Sequence, residues 1–94
     1  MDIHGYLFAK KHEQVYMCLL MNKNLVNQKN SRGQTPLLVA AIEEDVKMVR
    51  LILNFGPDLT LKDDLNMAPL DVAKFNNSWE ITHLIEASLS KIPR

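Results

Sequence analysis

Thr35-Pro36-Leu37-Leu38-Val39-Ala40 and Ala68-Pro69-Leu70-Asp71-Val72-Ala73 are two copies of one local sequence, and the step from Pro36 to Pro69 is 33 residues. The flanks keep that register. Lys29-Asn30 fall over Lys62-Asp63, Gly33 over Asn66, Met48 over Ile81, and Leu51-Ile52 over Leu84-Ile85. One step back sets Val15, Tyr16, Leu19 and Leu20 beneath Met48, Val49, Ile52 and Leu53, and Val26-Asn27 beneath Leu59-Thr60. A degenerate copy therefore opens the chain.

Each copy carries the chemistry of two short helices. The Thr35 hydroxyl can accept from a free amide of a first turn, and Pro36 in the first helical position lacks only an N–H that would go unpaired anyway. Leu37, Ala40 and Ala41 lie at i, i+3 and i+4 on one helical face, and the small alanines let a neighbouring helix come close. After the polar break Glu43-Glu44-Asp45, residues Met48, Val49, Ile52 and Leu53 repeat at helical spacing, and Gly56 supplies a residue able to close a helix in the left-handed conformation. Pro57 to Asn66 is polar and turn-rich, which suits a hairpin-like loop. The unit reads helix, turn, helix, loop.

The run Asn30-Ser31-Arg32-Gly33-Gln34-Thr35-Pro36-Leu37, with Ala40-Ala41, Val49, Leu51-Ile52-Leu53 and Gly56-Pro57-Asp58-Leu59, resembles the ankyrin repeat. The resemblance extends from about Ile3 to Ala87. It implies an all-α solenoid of about three helix-turn-helix repeats with short hairpin-like loops. As one domain over 1–94, this divides into a degenerate N-terminal repeat 1–29, a central repeat 30–62, a C-terminal capping repeat 63–90 and a frayed tail 91–94. The sequence departs from the family pattern at Leu38 and Asp71, where histidine is usual, and at Glu44 and Asn77, which replace the glycine between helices. Lys23 stands where Gly56 stands one copy later, which makes Asn22 or Asn24 the candidate left-handed residue there. Leu7 and Phe8 take the places of Ala40 and Ala41, as suits an end helix with no predecessor. Lys74, Thr82, His83, Glu86 and Ser88 make the last copy polar, as a water-facing terminus requires.

Composition narrows the function classes. Eleven Lys and Arg balance 11 Asp and Glu, so the formal net charge is zero, which argues against binding through nucleic-acid phosphates or anionic lipid. No apolar run approaches the roughly 20 residues of a membrane span. A single cysteine, Cys18, and an N-terminus without a secretory pattern point to a reducing, cytoplasmic setting.

Catalytic chemistry finds little support. Cys18, flanked by Met17 and Leu19, reads as a small buried hydrophobe and not as an activated thiol. His12 reads as a helix-end residue and His83 as a solvated one, while His4 has no supporting neighbours in sequence. One cysteine and three scattered histidines show no metal-ligand spacing, and there is no Gly-rich phosphate loop. The acids Glu43-Glu44-Asp45 are accounted for by a helix dipole. No cofactor and no enzymatic activity are expected.

Binding is better supported. Ankyrin repeats resembling this one meet partners with loop tips and the exposed side of the first helix. That implies a protein-binding surface of Ser31, Arg32, Gln34, Ile42 and Glu43 in the central copy and Asp64, Leu65, Met67, Phe75 and Asn76 in the last. Ile42, Leu65, Met67 and Phe75 are apolar at positions expected to face solvent, and so suggest an interaction patch. The alternative is that Phe75 and Met67 fold back over the open end of the stack; Trp79 is ambiguous in the same way, anchor or lid. The reading is a stoichiometric inhibitor, adaptor or decoy that covers another protein. A structural homo-oligomer and an immunity-type neutraliser of a toxin or host factor are the rivals. About three repeats is the practical minimum for a stack, so added stability on association is also expected.

Overall fold

The computed structural model describes residues 2–91. Six α-helices are present among the described residues, in three pairs: α1 (Ile3–Phe8) with α2 (His12–Met21), α3 (Pro36–Ile42) with α4 (Val46–Leu53), and α5 (Pro69–Phe75) with α6 (Trp79–Leu89). A 3-10 turn over Lys23–Asn27 follows α2, and no strand occurs among the described residues. α3 packs on both α1 and α5, while α4 packs on both α2 and α6. The pairs therefore stand in a single row, with short helices on one side and second helices on the other. Lys91 closes a turn after α6; the rest of the tail, 92–94, lies outside the described residues.

Local chemistry starts the helices as the sequence reads. Leu38 N donates to Thr35 Oγ1 at 3.3 Å, and Pro36 is the first residue of α3. α1 begins with Gly5 N donating to Asp2 Oδ1 at 3.0 Å. α5 begins at Ala68, which has no side-chain acceptor; instead Asp71 reaches back, and its Oδ2 accepts from Ala68 N at 3.0 Å. That bond gives Asp71, one of the departures from the family pattern, a role. Flanked on both sides, α3 buries Leu37, Leu38, Val39, Ala40 and Ala41 together. Each large side chain so buried contributes about 1.5–3 kcal/mol, and Ala40 and Ala73 keep the helices close.

Glu44 and Asn77 both adopt left-handed backbone, with φ of 54° and 56°, where the family has glycine. Gly33 and Gly56 are left-handed as well, at φ 72° and 65°. In the first copy the left-handed residue is Lys10, at φ 56°, and not Lys11 as a strict 33-residue step requires. The cause is that α1 has 6 residues where α3 has 7. α2 consequently starts from Lys11, 34 residues before the Asp45 that caps α4. This corrects two sequence expectations. Tyr16 and Leu20 are not core residues like Val49; the offset places them at the levels of Arg50 and Asn54, and they are 45% and 52% exposed. Neither Asn22 nor Asn24 is left-handed: Asn22 is extended, at φ −150°, and its side chain accepts from Asn24 N at 3.1 Å to start the 3-10 turn. With a tighter turn absorbing the change of direction, no glycine-like residue is needed there.

Candidate protein-binding groove

The loops between pairs are built by one device used twice. Asn30 Oδ1 accepts from Arg32 N at 2.9 Å and Gln34 N at 3.0 Å. One period later, Asp63 Oδ1 accepts from Leu65 N at 2.9 Å and Met67 N at 3.0 Å. A short polar side chain thus replaces the backbone partners that a turn lacks. The two tips are then tied together, since Asp64 N donates to Arg32 O at 3.1 Å. Gly33 eases this approach: a Cβ there would stand 3.1 Å from Asp64 N, a tight contact with backbone. The tips are therefore held at a fixed spacing in front of the short helices.

Between the second loop and the short helices lies a groove of about 490 Å³ lined by Gln34, Ile42, Asp63, Leu65, Met67, Val72, Phe75 and Asn76. Six of the eleven residues expected to bind a partner meet in it: Gln34, Ile42, Leu65, Met67, Phe75 and Asn76. Leu65 is 81% exposed and Phe75 is 80% exposed. Phe75 therefore does not fold back over the end of the stack. Met67 is half-buried and packs against the core, so it forms floor and not rim.

The other five stand outside the groove. Ser31, Arg32 and Asp64 are exposed on the loop tips, and half-buried Glu43 caps the end of α3. Trp79, the first residue of α6, is 68% exposed and borders a separate depression with Glu44, Val46 and Ser78. It is neither a lid nor part of the apolar groove.

Sequence reasoning missed three residues. Asp63 and Val72 line the groove as the loop's internal acceptor and as floor. Phe8, 53% exposed, ends α1 as Ile42 ends α3 and Phe75 ends α5. Those three side chains occupy the same last-turn position in three stacked helices. The 33-residue step hid this by setting Phe8 over Ala41; counting back from the turn would have revealed it.

The residues considered for catalysis are engaged otherwise. His12 Nε2 sits 3.0 and 2.9 Å from the two carboxylate oxygens of Asp45, whose Oδ1 also accepts from Met48 N at 3.1 Å. Asp45 thus caps α4 and joins the first pair to the second, a more specific role for the acidic run than a helix dipole. His4 is buried, and its Nε2 donates to Gln28 O at 2.6 Å, pinning α1 to the segment entering the second copy. Half-buried Cys18 packs against the core beside Met17 and Met21, and His83 is exposed. Among the described residues, no three His, Cys, Asp or Glu side chains converge as a metal would need, and no helix is long and apolar enough to cross a membrane.

A family profile for ankyrin repeats in three copies matches residues 6–91. The chain is also 22% identical over 93 residues to Alpha-latrotoxin-Lg1a of Latrodectus geometricus, an alignment covering 99% of this chain and 6% of that protein. It thus spans a small part of that relative's length. Three helix pairs in one row, loops built by a shared device and a profile match over most of the sequence agree: the chain belongs to the ankyrin-repeat family, whose members are generally protein–protein interaction modules.

Proposed function

We propose that the protein, as one domain over 1–94, works stoichiometrically, as an inhibitor, adaptor or decoy that covers a surface of another protein. The observation that carries this reading is the groove. Leu65 on a braced loop tip and Phe75 at the end of α5 hold large apolar side chains in water on either side of a half-buried floor. Leaving such groups solvated costs about 1.5–3 kcal/mol each relative to burial, which a partner's apolar side chain would recover. Gln34, Asp63 and Asn76 give the same groove polar atoms with which to orient a ligand. Arg32, Glu43 and Asp64 form the charged surround, which tunes approach and orientation more than affinity. The single Cys18 suits a reducing, cytoplasmic setting.

The test is affinity capture from native lysate with the wild-type chain and with Phe75→Ser combined with Leu65→Ser. Both side chains are exposed, so the variant should keep wild-type helicity by circular dichroism and lose the captured protein, with affinity weakened about 30-fold or more. Capture that survives both substitutions would place the binding surface elsewhere.

A further inference from the structure

The loops that precede α3 and α5 share one plan and differ in charge. Asn30 Oδ1 serves the first turn and Asp63 Oδ1 the second, each accepting from two backbone amides. Asn30 shows that this work needs an acceptor oxygen and no charge. Its other side-chain atom is also engaged, Nδ2 donating to Gln34 Oε1 at 2.9 Å. In Asp63 that place is taken by the second carboxylate oxygen, Oδ2, which has no partner among the described residues. Asp63 is half-buried and is the one ionisable side chain lining the groove. Arg32, Lys62 and Lys74, with Glu43, Asp64 and Asp71, flank the lining residues in sequence, offset one another in sign and stand outside the groove. Water screens that surround, whereas Asp63 meets directly whatever fills the groove. The C-terminal ends of α3 and α5, at Ile42 and Phe75, add negative partial charge beside it. Nor is the groove an open end of the row: Ile42, in a helix packed on both sides, is still 38% exposed.

On the basis of the covering surface proposed above, we propose that the groove takes an arginine side chain, presented by a partner segment with large apolar residues next to that arginine. The guanidinium donates to Asp63 Oδ2 in a charge-assisted bond, and the side-chain oxygens of Gln34 and Asn76 are neutral acceptors for its remaining N–H groups. Phe75, 80% exposed, offers a ring face for the planar cation, and the arginine stem covers apolar floor. The neighbouring apolar residues of the segment meet Leu65 and Ile42, which accounts for large apolar groups set around one carboxylate. Lysine fits less well, because its compact, strongly hydrated ammonium neither forks between acceptors nor lies flat on a ring. A neutral occupant would cover Oδ2 without pairing it, and an acidic one would meet it with like charge.

Selection of random peptides of about 12 residues on the full chain tests the proposal. The recovered peptides should carry an arginine beside large apolar residues. On the wild-type protein, replacing that arginine by glutamine should weaken binding about 10-fold or more, and lysine should restore only part of the loss. Asp63→Asn should weaken the arginine peptide to a similar degree while keeping the wild-type melting temperature, since Asn30 already builds the same turn. The two changes together should weaken binding little beyond either alone. Neutral or acidic peptides, no recovered binder, additive losses, or binding indifferent to Asp63→Asn would each overturn the proposal. Capture of a partner lost on Phe75→Ser with Leu65→Ser but kept on Asp63→Asn would overturn the arginine alone and leave the covering surface in place.

Discussion

Asp45 does two jobs with one carboxylate, and its environment makes both consequential. Its side chain is 12% exposed and that of His12 is 24% exposed, so neither end of the pair is freely solvated. Asp45→Ala removes the α4 cap and leaves the His12 ring without its partner, with an expected loss of about 2 kcal/mol. Asp45→Asn retains an acceptor for Met48 N and should lose less. A double-mutant cycle with His12→Ala, read by thermal melts, should give a coupling of about 1 kcal/mol; additive losses would show the pair to be incidental. By contrast, the Arg50–Glu80 pair at 2.8 Å has both side chains 59% exposed and should contribute little.

The two left-handed glycines separate conformational strain from steric clash at the same scale. Gly56 has open space where a Cβ would go, so Gly56→Ala should cost about 1 kcal/mol from backbone strain alone. Gly33→Ala adds crowding against the next loop tip, since its Cβ would stand 3.1 Å from the backbone N of Asp64, the residue that ties one tip to the other. Its cost should exceed that of Gly56→Ala by about 1 kcal/mol or more, measured by denaturant unfolding. Equal losses would mean that the loop tips move apart freely. The 33-residue repeat offered no warning here, because Asn66, one period after Gly33, tolerates a φ of 63° on its own.

At the scale of elements, the three pairs differ mainly in how their helices begin. α3 has the Thr35 hydroxyl, while α5 has only the return bond from Asp71 to Ala68 N. Ala68→Thr should supply the missing acceptor to the third helical amide and raise stability by about 0.5–1 kcal/mol, seen as a higher melting temperature with an unchanged spectrum. No gain would mean that Asp71 already satisfies that turn. The element that most changes the surface is the shortest: α1, one residue shorter than α3, advances its turn, carries Phe8 to the level of Ile42 and Phe75, and turns Tyr16 and Leu20 outward.

At the scale of the whole molecule, stability comes from two junctions between neighbouring pairs of the described residues, and Met17 and Met21 of α2 are exposed, at 54% and 84%. Repeat stacks are approximately a sum of unit and interface contributions, so a third interface, whether with a partner or with another copy, should matter in proportion. The melting temperature should therefore rise with protein concentration, and should rise again when a captured partner is added. A melting temperature flat in both experiments would show that the three pairs suffice alone.

Helix positions, the Thr35 cap, the Gly56 helix end, the row of pairs and the family were legible in the residues, because a repeat period, an i, i+3, i+4 pattern and a Thr-Pro start depend on neighbours in the chain. Gln34, Ile42, Leu65, Met67, Phe75 and Asn76 were also reachable, by carrying the family's free positions along the 33-residue step. Tertiary structure alone decided that Trp79 stands apart, that Phe8 joins the line of last-turn side chains, that His4 is buried and that Tyr16 and Leu20 meet water. The physical reason is that one residue missing from α1 changes which side of the next helix faces the core by about 100°, the rotation of one helical residue. A periodic alignment averages over that shift, while close packing against the neighbouring pair does not.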